Sequence, residues 1–292
     1  MKVLIGCINF NSYTGSELYV YELARELVNM GVDVTVCSNI GGDLANRAER
    51  VGIKLMPLAN VNRTQNFDIL HVNHHPIAKL LIHAYPTTPA ICGIHSEIIS
   101  MEYPYIHQNI KRYIAIRPEI KELLINVFKI EPDKISVIYN PVDDERFRDY
   151  GLVENEKKIV LCVGSIHVLR KNMLIDLINS TKKEGSELWL VGKEHEVKVK
   201  DLTQMDHIKL FPPTWDVERY VKQCDETAGI LLGRTTIESW LCCKPSWIYD
   251  VNQGGEIQSK KLYSAPEDTD KFKSKFVSNE IMKEYIRIIE HS

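Results

Sequence analysis

The chain lacks a basic excess: 36 Lys and Arg face 39 Asp and Glu over 292 residues, a formal charge of -3. Clamping nucleic acid or anionic lipid as a main task usually takes a large positive surplus, so that class is set aside, although a local basic strip stays compatible with the balance. No window approaches the ~18 uncharged apolar residues of a membrane-spanning helix, and the start MKVLIGCINFNS is too short and strand-like for a signal peptide. The expectation is a cytoplasmic protein without a transmembrane segment, with peripheral membrane contact left open. The seven Cys are an odd set with no C-x-x-C and no alternation with His, which argues against a disulfide framework or a zinc site. Cys7, Cys37, Cys92 and Cys162 fall in apolar runs and read as small buried hydrophobes, and the pair Cys242-Cys243 reads as helix core packing. Ten His include no H-E-x-x-H, so His74-His75 reads as a strand end.

What the chain has is alternation. Apolar strand-like runs at 3–8, 33–38, 53–58, 67–73, 89–95, 112–116 and 135–139 are separated by helical spacing near 16–30, 43–51, 76–84, 103–110 and 118–129. After Asn140-Pro141 the segment VDDERFRDYGLVENEKK turns polar and charged, and a second series follows at 158–164, 187–193, 207–213, 226–232 and 246–251. Continuous apolar strands alternating with helices imply parallel sheets covered on both faces. The fold class is therefore α/β, with two doubly wound domains expected at 1–142 and 157–275. The tail NEIMKEYIRIIE, 279–290, has helical apolar spacing and is expected to pack back on the first domain.

Two stretches carry chemistry of one design. In TAGILLGRTTIESWLCCKPSWIYD an apolar run meets Gly233-Arg234-Thr235-Thr236, and a helix-like run opens around Glu238. A strand turning through Gly into a helix start aims free N–H groups and a positive dipole end at one point, an anion site, and phosphate is the usual anion. Glu238, read into the first turn, would grip hydroxyls beside that phosphate; the alternative is an ordinary βα unit with Thr as N-cap. At the other end, the run Val3 to Ile8 leads into the polar loop Asn11 to Ser16, where Gly15 permits close backbone approach. Neither loop is G-x-G-x-x-G or G-x-x-x-x-G-K-[ST], so the dinucleotide and P-loop readings lose support. Two such loops in two halves suggest a ligand held between domains, with Gly15 and Glu238 in one cleft. A third feature follows the strand KIVLCVG: Arg170-Lys171 at a helix start, where two cations would neutralise a diphosphate leaving group without metal. Cations there oppose the helix dipole, which weakens a purely structural reading.

The succession TGSELYVYELARELVNMGVDVTV, FDILHVN, PAICGIHSE, YIAIRPEIKELLI, KISVIYNPVDDERF, KIVLCVGSIHVLRKN and GRTTIESWLCCKPSWIYD resembles the retaining GT-B nucleotide-sugar glycosyltransferases of family 4 over nearly the whole chain. The resemblance implies two Rossmann-like domains, a nucleotide-sugar donor bound mainly by the second, a hydroxyl acceptor bound by the first, and no cofactor or metal. Residue by residue it implies that Gly15 and Ser16 lie near the donor phosphate and acceptor, and that His95 contacts the transferred sugar near its reacting carbon. It likewise implies that Arg170 and Lys171 meet the diphosphate, that Gly233, Arg234, Thr235 and Thr236 cap the phosphate, and that Glu238 accepts from the ribose hydroxyls. Three positions depart from the pattern: Ile230 replaces a sugar-binding Glu, Ser165 an Arg, and Arg117 a Ser.

Other readings stay open. Asp268-Thr269-Asp270 fits the metal-binding Asp-x-Asp of a GT-A transferase, but its place in the late polar run APEDTDKFKSK favours helix capping. A GT-B nucleotide-sugar epimerase, a catalytically inactive sugar-nucleotide or glycan-binding protein, and an enzyme with a DNA acceptor are the alternatives, the last not favoured.

Overall fold

The structure, a computed structural model, describes residues 1–61, 65–151, 153–165, 167–193 and 205–291. By their internal contacts the residues form two units. Unit 1 comprises Met1–Ser12, Ser16–Pro141 and Lys271–Ser292, and unit 2 comprises Tyr13–Gly15 and Val142–Asp270.

Unit 1 is built on a seven-stranded parallel sheet. Its strands are β1 (Lys2–Phe10), β2 (Asp33–Ile40), β3 (Lys54–Pro57), β4 (Ile69–Asn73), β5 (Ala90–Ile94), β6 (Ile110–Ala115) and β7 (Ile135–Val137), in the order β3-β2-β1-β4-β5-β6-β7. Strand β1 is a nearly unbroken apolar run because helices cover both faces of the sheet, and Val3, Leu4, Ile5 and Cys7 are fully buried. Helix α1 (Gly15–Asn29) buries Tyr19, Leu23 and Leu27 at four-residue spacing, one stripe of an amphipathic helix. Burying each such Leu contributes about 1.5–3 kcal/mol. Helices α2 (Gly42–Arg50), α3 (His75–Ala84) and α4 (Pro118–Asn126) complete the layers. The last helix of the chain, α8 (Ser274–Glu290), also belongs to unit 1; its Val277, Ile281, Tyr285 and Ile288 are buried, and Glu284 takes the Ser136 hydroxyl at 2.7 Å and Arg112 Nε at 3.1 Å.

Unit 2 repeats the design with six strands. They are β8 (Ile159–Val163), β9 (Glu187–Val191), β10 (Ile208–Phe211), β11 (Glu226–Ile230), β12 (Ser246–Val251) and β13 (Ile257–Tyr263), in the order β10-β9-β8-β11-β12-β13. Only β13 runs antiparallel to its neighbour. Helices α5 (Lys171–Glu184), α6 (Glu218–Gln223) and α7 (Arg234–Leu241) connect them, and Met173, Leu174 and Leu177 of α5 pack on Val160, Cys162, Leu188 and Leu190 of the sheet. In both sheets the strand order reverses once, between β1 and β4 in unit 1 and between β8 and β11 in unit 2. Ligands of open α/β sheets bind outside the carboxyl ends of the strands at such a switch point.

Four expectations need correction. Of the residues expected as a helix at 103–110, 103–109 are irregular and Ile110 opens β6. Pro104 withholds an N–H and biases Tyr103 away from helix, and the Glu102 carboxylate turns back to accept the His95 amide at 2.6 Å. Strand β13 is absent from the apolar pattern because it is a solvated edge strand, Gln258, Ser259, Leu262 and Tyr263 being exposed and its two Lys blunting the edge. Cys243 is exposed with φ +56, so of the vicinal pair only Cys242 packs in the core. Asp268 and Asp270 do not cap α8, whose N-cap is Lys273; Asp270 opens a separate 3-10 turn, Asp270–Phe272.

Candidate active site

In unit 2 the two loops expected to meet phosphate leave adjacent strands. Strand β8 pairs with β11 through Val160↔Glu226, Leu161↔Thr227 and Cys162↔Ala228, so the segments after Val163 and after Ile230 emerge side by side at the switch point. After β11, Leu231 is held at φ +57, and Gly233 serves as N-cap of α7 without any side chain capping the helix. Among the described residues no side chain caps this helix start, so the amides of Thr235 and Thr236 are open to an external acceptor.

Glu238 is the fifth residue of α7, not in its first turn. Its carboxylate accepts from Arg234 Nε at 2.6 Å, and both residues are buried, Glu238 at 4% and Arg234 at 8% exposure. A cation at the first helical position opposes the dipole, and Arg preceding Glu by four is the poorer order for such a pair. Buried ion pairs are weak sources of stability, so this one points to a role beyond holding the helix.

After β8, Gly164 adopts φ +120, a conformation that suits only glycine. A side chain at Gly164 would also meet the Arg170 guanidinium at 2.8 Å. Arg170 ends the 3-10 turn Val168–Arg170, folds back over that glycine and donates from Nη1 to Val163 O at 2.7 Å, while Lys171 opens α5 exposed to solvent. The adjacent cations thus diverge: Arg170 is fixed at the end of β8, and Lys171 is not.

In unit 1 the candidate residue His95 stands directly past β5. Its ring Nε2 lies 2.8 Å from Asn73 Oδ1, and the edge of Tyr19 meets it with ring centroids 4.6 Å apart. Burial, reinforced by His74, His71 and Arg117, holds its pKa well below the ordinary histidine value, so the ring is neutral at pH 7. Gly15 opens α1 with open space where a side chain would project, and Ser16 follows it partly buried. The loop before it is closed by Glu17, whose carboxylate accepts from the Ser12 amide at 2.9 Å and the Ser12 hydroxyl at 2.7 Å. Arg117, the departure from the family Ser, stands at the N-cap position of α4 without a side-chain capping bond and pairs with Glu97, its Nε 3.2 Å from Oε1.

Around His95 the structure adds groups that sequence reasoning passed over. His71 is fully buried with Nδ1 2.7 Å from Tyr285 Oη, and burial lowers its pKa to about 3. Glu102 is buried, and desolvation raises its pKa to about 7 against the pull of the backbone amides it accepts from. Tyr19 Oη, His71 Nε2 and Glu102 Oε1 are enclosed with no partner among the described residues. The signal was present in FDILHVN: polar His71 and Asn73 at i, i+2 within a fully buried strand demand specific partners. Among the described residues no cluster of three or more His, Cys, Asp or Glu could hold a metal, and no helix is long and apolar enough to cross a membrane.

Residues 13–146 match the family model Glycosyltransferase Family 4. No curated protein sequence matches the chain. Among solved structures, a glycosyltransferase from Rickettsia africae ESF-5 superimposes with a TM-score of 0.72 at 16% identity, covering 100% of this chain and 99% of that one. Anabaena Alr3699/HepE, solved in complex with UDP and glucose, gives 0.70 at 16% identity and covers 100% and 98%. AviGT4, a glycosyltransferase involved in avilamycin A biosynthesis, gives 0.68 at 14% identity and covers 100% and 99%. The Glycosyltransferase Family 4 pattern thus runs through residues 13–146 of a chain that has, over its whole length, the fold of the GT-B glycosyltransferases.

Proposed function

We propose that the protein is a retaining glycosyltransferase that moves a sugar from a nucleotide-sugar donor to a hydroxyl acceptor without a divalent metal. The observation that carries this is the pair of neighbouring strands β8 and β11, which bring Arg170 and the uncapped start of α7 to one switch point. Positive potential from a fixed guanidinium and aligned amides suits a diphosphate that gains charge as it departs. The HepE structure with UDP and glucose supports the same ligand class.

In this reading Arg170 and the amides of Thr235 and Thr236 take the diphosphate, and Lys171, solvent-exposed, adds a screened charge. Glu238, paired with Arg234, accepts from the ribose hydroxyls and takes no part in proton transfer. His95, neutral, contacts the transferred sugar. The acceptor oxygen attacks the anomeric carbon on the face from which the phosphate oxygen leaves. The C–O bond to phosphate breaks as the new glycosidic C–O bond forms, and the acceptor proton passes to the departing phosphate, which preserves configuration.

Thermal-shift measurements against UDP-, GDP-, ADP- and dTDP-sugars identify the donor, because a ligand that binds only the folded state raises Tm with its occupancy. With that donor, product NMR should show the anomeric configuration of the donor retained. An inverted product overturns the mechanism, and a donor that binds without hydrolysis or transfer to any hydroxyl supports the binding-protein alternative.

A further inference from the structure

We propose that Asn73 is a positioning residue that fixes His95 as the neutral tautomer carrying hydrogen on Nε2, so that Nδ1 meets the donor sugar as a hydrogen-bond acceptor. The identity of the substrate rests on the glycosyltransferase reading; the lock itself rests on unit 1 alone.

The argument runs through the orientation of one amide. Asn73 is fully buried at the carboxyl end of β4, and its Nδ2 lies 3.0 Å from the backbone carbonyl of Gly6. A carbonyl cannot donate, so the atom facing it must be the NH2 group, which assigns the amide without reference to electron density. The other side of the amide is then Oδ1, 2.8 Å from His95 Nε2. Oδ1 only accepts, so Nε2 carries the hydrogen. In a neutral ring Nδ1 is then a bare lone pair, and it has no partner among the described residues.

Three neighbours hold the arrangement. Asn73 pairs in register with Gly93, and a side chain at Gly93 would place its Cβ 2.5 Å from Asn73 Oδ1 and 3.4 Å from both His95 Nε2 and His71 Nε2. The missing side chain is the space in which the bond forms. Tyr19 packs against the His95 ring in a T-shaped contact, and His71 Nδ1 is engaged by Tyr285 Oη at 2.7 Å. The second ring nitrogen of a histidine is commonly set by the bond that the first one makes, and here that bond leaves an acceptor facing substrate. An acceptor suits a sugar hydroxyl, which donates; it would repel a carboxylate or phosphate oxygen at the same place.

Long-range 1H–15N spectroscopy of the full chain reads the tautomer directly, with His95 assigned by comparison with His95→Gln. The expected pattern is Nε2–H in the wild type at neutral pH. Asn73→Ala should lose that pattern and lower kcat roughly 10- to 100-fold with a smaller change in donor KM, as misplacing a positioned group does. Gly93→Ala should do the same while leaving Asn73 in the chain. An Nδ1–H pattern or an imidazolium in the wild type overturns the proposal even if neither variant folds, and so does an unchanged tautomer with unchanged kcat in both variants. Failure of the transferase reading looks different: no donor is turned over by any form, while the Nε2–H pattern of the wild type and its loss in Asn73→Ala still support the lock.

Discussion

The two units use one topology to present opposite kinds of side chain. In each, the strand just past the reversal ends in a non-glycine residue held left-handed: His74 at φ +67 after β4 in unit 1, and Leu231 at φ +57 after β11 in unit 2. Such residues cost about 1–3 kcal/mol and persist only where the surroundings over-determine them, commonly at ligand sites. What surrounds them differs. Unit 1 places buried His71 and Asn73 and the half-buried, neutral His95 there, and unit 2 places a fixed guanidinium, open amides and a buried ion pair. A switch point thus supplies a location, and the residues grafted onto it decide whether it suits hydroxyls or phosphate.

The largest expected effect breaks the comparison on the unit 2 side. Arg170→Ala should lower kcat by about 100-fold or more, because it removes preorganised charge at the departing phosphate. Lys171→Ala, at an exposed and screened cation, should cost less than about tenfold. Steady-state rates at saturating donor check both, and equal losses would show that the fixed guanidinium is not what distinguishes the pair.

Next comes Glu238→Gln, which keeps a hydrogen-bond acceptor and removes the charge. Calorimetry should find donor binding weakened by about 1.5–3 kcal/mol, the usual value of hydrogen bonds to a charged group, with turnover still measurable at saturating donor. A Tm measured alongside separates lost binding from the stability lost by removing the charge that faces Arg234. Normal binding with no turnover would make Glu238 a chemical participant.

The third prediction sharpens the contrast through pH. The folded state holds His71 near a pKa of about 3 by burial, whereas an unfolded histidine titrates near 6.5, so below about pH 6.5 the unfolded chain binds more protons and stability falls as pH falls. His95 and His74, both lowered by burial, act in the same direction. Glu102 opposes them: its carboxyl is raised to about 7, so the folded state binds more protons between about 4.5 and 7, and this contribution grows as pH falls. Three groups outweigh one, so hydrogen exchange in β4 and β5, corrected for the intrinsic slowing of amide exchange as pH falls, should accelerate on moving from about pH 7 to 5.5 while β8 and β11 change little. Glu102→Gln should steepen that acid loss, since the one opposing titration is gone. Equal acceleration in both units would remove the contrast. The smallest effect concerns metal: chelation by EDTA, or Asp268→Asn with Asp270→Asn, should change the rate less than about twofold, and activity abolished by EDTA and restored by Mn2+ would reject the metal-free account.

Much of the fold was legible because buried parallel strands are long apolar runs that depend little on context. The strand-to-helix loops after β8 and β11 were legible for a related reason, since a strand meeting Gly before a helix is a local pattern. The rest depended on residues distant in sequence. Glu102 folds back onto His95 and leaves 103–109 irregular, Arg234 starts α7 early enough to move Glu238 out of the first turn, and Asn73 reaches His95 only through the register of β4 with β5. Strand β13 escaped because a solvated edge carries no apolar signal.

The central claim is that unit 2 binds the nucleotide diphosphate at the ends of β8 and β11. Hydrogen exchange with and without UDP, the nucleotide held by the HepE neighbour, tests it most directly. Saturating UDP should protect the amides of 164–171 and 231–238 and leave 2–10 unchanged; protection confined to unit 1, or none in those two segments despite calorimetrically proven binding, would contradict it.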